Sequence, residues 1–381
     1  GALTAPALPR IVVPAARARL RSLVGHLVAD GGPRLGEQVA RLRDQGFRVN
    51  VNLLGEAVLG EAEAASRTER VGAMLARPDV DYVSIKVSSL VSQIITWDHD
   101  GTVERCLDRL RPLYRTARSK SPHAFVNLDM EEYRDLELTL EVFEVLADDP
   151  GLAPLCLGVA LQAYLPDASD AFERVAAIAR RRRAAGGAPV KVRLVKGANL
   201  AMERVQAELR GWELPVHATK EETDASYLRA LDECLTPERA ARVRIGVASH
   251  NVYTLAAAWE LARARGVADA VDVEMLSGMG VPLQRVLQGE VGRLRLYVPV
   301  VPRAEYDSAI SYLVRRLEEN AAPENFMSGA ASLGADAAFL DREEARFRAA
   351  LARVDDPAPT GWAEAHARRG RPEFRNTADT D

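Results

Sequence analysis

Short runs rich in Val, Ile and Leu alternate along most of the chain with longer stretches of helical periodicity. The apolar runs cover 48–54, 82–87, 124–128, 157–161, 190–195, 243–248, 270–275 and 293–298. Each is followed by a segment that can form a helix. Such alternation predicts βαβ units, because parallel strands need a crossover connection. Eight units of this kind predict an α/β fold, a closed (β/α)8 TIM-like barrel rather than an open doubly wound sheet. The aliphatic content of the runs reads as strands buried on both faces.

Ahead of the first run, Leu20, Leu23, Val24 and Leu27 recur at helical spacing, so residues 1–46 are expected to form a helical arm packed on the barrel. The barrel itself is expected over 47–333. From 334 the sequence predicts a helix, then passes through Asp355-Asp356-Pro357-Ala358-Pro359 into a polar tail. Residues 334–381 therefore read as a helix and linker toward a further domain. The leading Gly1-Ala2 reads as a scar or as a chain begun mid-sequence.

A length of 381 residues suits a barrel of roughly 250 residues with extensions. Hydrophobic content of 48% with 27% charged residues is that of a soluble globular protein. The net charge of −4 argues against nucleic acid as a partner. The run Arg180-Arg181-Arg182-Arg183 falls at a predicted helix end, where cations complement the carbonyl dipoles. Three cysteines, Cys106, Cys156 and Cys234, have no metal spacing and predict a reducing compartment. No apolar run has transmembrane length, and no secretory signal is present.

In a barrel of this type, chemistry belongs at the carboxyl ends of the strands. Polar groups do appear where the apolar runs stop: Asn52 and Glu56, Lys86, Asn127 and Asp129, Gln162 and Tyr164, Ser249-His250-Asn251, Ser277-Gly278 and Tyr297. In Arg193-Leu194-Val195-Lys196-Gly197-Ala198 a cation precedes a Gly-Ala pair where backbone can approach a flat ligand. The same stretch also reads as a strand-to-helix turn with a solvated Lys196 and a buried structural arginine. Lys86 reads as a Schiff-base lysine, an ion-pair partner or a rim charge. Asp129 is placed to pair with it across neighbouring strands, at a desolvation cost. His250 reads as a cofactor or structural hydrogen-bonder, since no second histidine or cysteine lies at metal spacing, and no metal is expected. Leu276-Ser277-Gly278-Met279-Gly280 matches neither a dinucleotide fingerprint nor a phosphate loop.

Tyr312-Leu313-Val314-Arg315-Arg316 lies in a predicted amphipathic helix, with Leu313, Val314 and Leu317 on its apolar side. Adjacent guanidinium groups can converge on one carboxylate, and Tyr312 stands one turn from Arg316. The alternative is a solvated basic edge paired with Glu318 and Glu319.

Taken in order, Ser84-Ile85-Lys86, Asn127-Leu128-Asp129, Leu161-Gln162-Ala163-Tyr164, the Arg193 to Ala198 motif, Ser249-His250-Asn251, Leu276 to Gly280, Tyr297-Val298-Pro299-Val300 and Tyr312 to Asn320 resemble a known series. It is that of the proline dehydrogenase family, more closely the dehydrogenase domain of bifunctional proline-utilisation flavoproteins, over about 47 to 326. The resemblance implies a distorted barrel whose last helix lies over the barrel mouth, with FAD across the strand ends. It implies oxidation of L-proline to Δ1-pyrroline-5-carboxylate by hydride transfer from proline C5 to flavin N5. Arg315 and Arg316 would bind the proline carboxylate, while Lys86, Asp129, Leu276, Tyr297 and Tyr312 would line the proline pocket. Arg193 would stand beside flavin N5. Asp129, Gln162, Val195, Gly197, Ala198, Thr219, Lys220, Ser249, His250, Asn251, Glu319 and Phe326 would contact the flavin.

The resemblance further implies a quinone electron acceptor and a fused or partner pyrroline-5-carboxylate (aldehyde) dehydrogenase domain. The expected location is cytoplasmic or peripheral at the inner membrane face. Asn199-Leu200 stand where many relatives carry an aromatic pair. The segment from Tyr297 to Tyr312 is longer than in relatives, with Val301-Pro302-Arg303-Ala304-Glu305 as the extra region. The DNA-binding ribbon-helix-helix module of some relatives is not expected, and Tyr297 is expected to crowd the hydroxyl of hydroxyproline. Two other readings stand beside this one: a flavin-free Schiff-base aldolase-type barrel using Lys86 or Lys196, and a scaffold barrel with solvated clamp arginines.

Overall fold

The computed structural model describes residues 27–356 except 56, 57, 59, 96, 303–307, 324 and 330–335, together with Ala15 and Arg19. Side chains at 308, 311, 315 and 318–320 lie outside that description, so the expected roles of Glu56, Arg315 and Glu319 do too. Most of the expected arm and the tail beyond 356 also lie outside the described residues.

Eight parallel strands close into a barrel. They are β2 (Arg48–Leu53), β3 (Tyr82–Lys86), β4 (Phe125–Asp129), β5 (Leu157–Gln162), β6 (Val190–Val195), β7 (Val243–Ala248), β8 (Val271–Leu276) and β9 (Arg295–Val301). Closure comes from β9, which pairs with both β8 and β2. A two-residue strand, β1 (Ala29–Asp30), pairs with the far end of β9, in a region expected to be helical. Helix α1 (Leu35–Asp44) follows, and buries Leu35 and Val39.

The connections carry α2 (Glu61–Ala76), α3 (His99–Ser119), α4 (Leu136–Asp148), α5 (Ala168–Ala184), α6 (Leu200–Arg210), α7 (Lys220–Cys234), α8 (Pro237–Ala240), α9 (Val252–Ala264) and α10 (Val281–Val291). Two more helices, α11 (Ser308–Ala321) and α12 (Ala337–Ala352), complete the described chain. Among the described residues no helix is long and apolar enough to cross a membrane.

Both faces of the strands are buried, as expected, but the two differ in chemistry. Successive side chains alternate between faces. One set, including Val49, Val83, Val126, Val159, Val192, Ile245, Val273 and Leu296, belongs to the main apolar core with Leu107, Phe143, Val175 and Leu231 of the helices. Each such side chain, fully buried, is worth about 1.5–3 kcal/mol of transfer free energy.

The alternate set is polar: Asn50, Ser84, Asn127, Asp129, Lys191, Arg193, Asp272, Glu274, Arg295 and Tyr297. Contacts between non-adjacent strands place these side chains in the lumen. Lys191 on β6 reaches Glu274 on β8, and Tyr297 on β9 reaches Asp129 on β4. Barrels of this class are more often filled by bulky aliphatic residues.

Room for these long side chains comes from glycine. A Cβ on Gly246 would lie 2.5 Å from a Glu274 carboxylate oxygen and 2.9 Å from Lys191 Cε, and one on Gly158 would lie 2.4 Å from the Phe125 ring. At the carboxyl-terminal mouth, α11 packs Ala309 and Leu313 with Leu54, Met279 and Val301, which lie at or just beyond the ends of β2, β8 and β9. That apolar cluster holds the helix over the opening.

Gly246→Ala is expected to destabilise the protein by about 1–3 kcal/mol, because its neighbours are fixed at both ends. Gly289→Ala, inside α10 with nothing within 4 Å, is expected to be neutral or stabilising by up to ~1 kcal/mol. Chemical denaturation of the two variants measures both, and equal effects would refute a crowded lumen.

Candidate active site

A chain of buried charges runs along the barrel axis. Lys191 Nζ donates to Asp272 at 2.8 Å and to Glu274 at 2.5 Å. The second oxygen of Glu274 accepts from Arg193 Nε at 2.8 Å. Arg193 then lies 3.6 Å from Asp129 through its other arm, with its guanidinium 4.4 Å from the centre of the Tyr297 ring. Asp129 accepts from Asn127 Nδ2 at 2.7 Å and from the Tyr297 hydroxyl at 2.8 Å. Cation and carboxylate thus alternate from β8 and β6 up to Asp129 at the carboxyl end of β4, beside Tyr297 of β9.

Opposite charges hold Glu274, Asp272 and Arg193 in their charged forms. Burial alone would push the Glu274 carboxyl up, but Lys191, Arg193 and Arg295 outweigh it and hold it below its ordinary value. The same balance, led by Lys191 and Arg295, holds Asp272 well below the carboxylate range. Burial opposes the charge on Arg193, yet Asp129 and Glu274 raise its pKa above the ordinary value. Burial, then the nearby Asp129 charge, drives the Tyr297 phenol well above its ordinary value, so it remains a hydrogen-bond donor. A permanently cationic Arg193 is therefore delivered to the floor of the site.

Lys86 does not pair with Asp129 as expected. The two are in register on β3 and β4, but Asp129 is engaged in the lumen by Asn127, Tyr297 and Arg193. Lys86 instead donates to Glu131 in the turn after β4. Lys196 is not solvated either: it donates to Asp224 at 2.6 Å, and Lys220 holds the other oxygen of Asp224 at 2.5 Å. Burial lowers the Lys196 pKa, with Asp224 opposing.

Beyond the strand ends, β5 and β6 continue paired, Ala163 N–H donating to Val195 O at 2.8 Å and Tyr164 N–H to Lys196 O at 2.7 Å. Gln162, Val195 and Gly197 are thereby held together. Gly197 has φ +142°, and a Cβ there would lie 2.3 Å from the Tyr164 ring, so only glycine fits this turn. Ala198 follows, exposed. Of the departing pair, Asn199 is buried and Leu200 exposed.

The Gln162 amide donates to the carbonyls of Met130 and Glu131, at 2.8 and 3.2 Å, which leaves its oxygen buried without a partner among the described residues. His250 Nε2 accepts from Leu276 N–H at 3.0 Å, so the ring proton belongs on Nδ1. That nitrogen is also buried without a hydrogen-bond partner among the described residues. Burial, then the Arg316 charge, pushes the His250 pKa down to about 4, so the ring is neutral at physiological pH. One orphaned acceptor and one orphaned donor near a glycine turn fit a planar heteroaromatic cofactor with both kinds of polar edge.

Supporting residues fix the rest. Asn251 caps α9, its side-chain oxygen accepting from Tyr253 and Thr254 N–H at 3.0 and 3.2 Å, and Ser249 Oγ accepts from Asn251 N–H at 3.1 Å. Thr219 caps α7 through a reciprocal pair with Glu222. Phe326 is buried, its ring centre 5.4 Å from that of Phe339. From α11, the Arg316 guanidinium lies 5.4 Å from the Tyr312 ring centre, and Tyr312 and Leu276 pack on the same apolar cluster. Tyr312, Arg316, Leu276 and His250 thus meet at the mouth, above the end of the ion chain.

Lys191, Glu274, Glu131 and Asp224 were missed in the sequence. Two of them had a visible signal: Val190-Lys191-Val192-Arg193 and Val271-Asp272-Val273-Glu274 alternate aliphatic and charged positions with period two. Nothing in the sequence marked Glu131 or Asp224.

Comparison with known proteins agrees with this geometry. Residues 35–329 match the family model described as proline dehydrogenase. Bifunctional protein PutA of Klebsiella aerogenes is 32% identical over 321 residues, covering 78% of this chain and 23% of that protein. The structure of proline utilization A from Corynebacterium freiburgense matches with a TM-score of 0.80 and 48% identity over 92% of this chain and 35% of the other. That of proline utilization A from Bdellovibrio bacteriovorus, inactivated by N-propargylglycine, matches at 0.79 and 29% identity, over 92% and 37%. The chain therefore spans about a quarter to a third of the length of these relatives.

The ion chain makes stability depend on pH. Glu274 and Asp272 have folded pKa values below their unfolded ones, so their stabilisation is present above about pH 4 and is lost as pH falls toward the folded values. Glu274→Gln is expected to cost about 3–5 kcal/mol at neutral pH by stranding two buried cations. Its melting temperature should also fall less between roughly pH 5 and pH 3 than that of the parent. Parallel acid limbs would remove Glu274 from the linkage.

Proposed function

The chain belongs to the proline dehydrogenase family, and on that premise we propose that it oxidises L-proline to Δ1-pyrroline-5-carboxylate with FAD as its cofactor. When bound, FAD supplies a hydride acceptor at N5 for proline C5 and a store from which electrons leave to a quinone. The orphaned Gln162 oxygen and His250 Nδ1–H, with the Gly197 turn and Ser249 to Asn251, are the groups that would hold it.

The observation that carries the reading is the meeting of Arg316 and Tyr312 with Leu276 and His250 above the chain that ends in Arg193, Asp129 and Tyr297. Arg316 and Arg315 bind the proline carboxylate, and a fixed carboxylate orients the ring for transfer, where small misplacements are costly. Leu276, Tyr312 and Tyr297 wall the ring and exclude water. Arg193, kept cationic by Glu274, stabilises negative charge that develops beside it. Asp129 and the Lys86–Glu131 pair set the charge around the substrate amine, which must be neutral for its lone pair to expel hydride.

A Schiff-base aldolase needs an uncommitted neutral lysine. Both of its candidates are in ion pairs, Lys86 with Glu131 and Lys196 with Asp224, which favours the dehydrogenase. The quinone acceptor, the inner membrane face as the place where it is met, and a fused pyrroline-5-carboxylate dehydrogenase domain belong to the same proposal.

Absorbance spectra before and after anaerobic L-proline test it. Flavin bands that bleach are expected; bands that persist remove proline as substrate. A colourless chain that takes up no FAD, and that borohydride traps with substrate, supports the aldolase. Arg315→Met and Arg316→Met are expected to raise KM for proline about 10- to 100-fold, the worth of a charge-assisted pair, with flavin retained. Flavin loss would misplace the clamp. The Tyr297 ring is pinned by Asp129 and cannot swing aside, so hydroxyproline oxidised as efficiently as proline would overturn its place in the pocket wall.

A further inference from the structure

The opposite, amino-terminal mouth of the barrel is built unlike a structural plug. There the strands begin around a cavity of about 500 Å³, lined among others by Arg48, Tyr82, Lys191, Arg244, Asp272 and Arg295. This end of an enzyme barrel ordinarily carries packing and stability, not chemistry. Here it carries Arg48, Arg244 and Arg295 beside Lys191, which is shared between Asp272 and Glu274. Asp272 is shared between Lys191 at 2.8 Å, Arg48 at 3.7 Å and Arg295 at 3.7 Å. Asp81, the other acidic lining residue, is half-exposed and pairs with Arg43 at 3.0 Å. Arg244 donates to a neutral group, the Asp269 carbonyl, at 2.8 Å.

Three polar atoms of the lining residues point to what the cavity lacks. The Tyr82 hydroxyl, Arg295 Nε and Asp272 Oδ1 have no hydrogen-bond partner among the described residues, on residues 3%, 9% and 5% exposed, although Arg48 lies at ion-pair distance, 3.7 Å, from that Asp272 oxygen. Arg295 lies with its guanidinium 4.3 Å from the centre of the Tyr82 ring, which fixes both. Two of the orphaned groups are donors, and the third is a carboxylate oxygen that needs one. Excess positive charge in a recess attracts an anion. The lone acceptor asks that this anion also carry a proton.

We propose that the amino-terminal mouth binds a phosphate group, with Arg48, Arg244, Arg295 and Tyr82 donating to its oxygens and Asp272 Oδ1 accepting from its P–OH. Near neutral pH a phosphate keeps at least one such hydroxyl when free, and a monoester keeps it in part; sulfate keeps none. The cavity admits either a free ion or a small monoester. This site stands apart from the proline reading, since none of its donors belongs to the opposite mouth.

Isothermal titration of the flavin-loaded chain with inorganic phosphate, sulfate and glycerol 3-phosphate, in chloride of matched ionic strength, tests the proposal. Saturable phosphate binding is expected, at least ten times tighter than sulfate. Tighter glycerol 3-phosphate would assign the site to monoesters, and phosphate alone would assign it to the free ion. Arg48→Met, at a half-exposed position, and Arg244→Met should each weaken phosphate by tenfold or more, with flavin absorbance and proline-dependent bleaching unchanged. Should Arg244→Met fail to fold, Arg48→Met alone decides. Absence of saturable binding, sulfate equal to phosphate, or phosphate unaffected by Arg48→Met would each overturn it and leave water as the occupant.

Discussion

One buried carboxylate holds the centre of this barrel together. Glu274 accepts from Lys191 with one oxygen and from Arg193 with the other, wholly out of water. Any one of these three charges left alone there would carry a large desolvation penalty, so none is tolerable without the other two. The constraint propagates in both directions. Toward one mouth it shares Lys191 with Asp272; toward the other it aims Arg193 at Asp129 and Tyr297. Gly246 of β7 follows from it, because a side chain there would occupy space that Glu274 and Lys191 need.

The two mouths are finished in opposite ways. α11 closes the carboxyl-terminal one with aliphatic and aromatic groups, which lowers the local dielectric around Arg316 and Tyr312 and strengthens every charge–charge contact beneath. The amino-terminal one stays open and polar. A continuous ladder of charges between a dry end and a wet end is an unusual interior, and it explains why the strands need an apolar face on the outside alone. Apolar burial is concentrated in the seam between strands and helices, and the lumen is held by charge pairing.

Much of the barrel was legible in the sequence because strand and helix periodicities are local. Each expected run became a strand, although the last begins at Arg295 and continues to Val301. Which residues face inward was not read: aliphatic residues dominate the runs by number, and the charged ones between them form the inner face. Side-chain partners were less legible still. Lys86 and Asp129 were correctly set side by side, but pairing depends on what else competes for each group, and Glu131 and Tyr297 come from elsewhere in the chain. β1 was invisible, since two residues carry no period. The ordered motif series, and not periodicity, pointed to proline and flavin, while Arg315 and Glu319 have side chains outside the described residues.

The ladder also bears on how the chain reaches this state. The Tyr297–Asp129 bond joins residues 168 positions apart, and the Lys191–Glu274 bond joins residues 83 apart. Contacts so distant form late, after loop-closure entropy has been met, and cannot be assembled strand by strand. Until β8 arrives, β6 would expose Lys191 without either of its carboxylates and Arg193 without Glu274. A half-built barrel is thus electrostatically incomplete as well as open-edged, which disfavours stable partial structures and couples closure of the sheet to neutralisation of its interior.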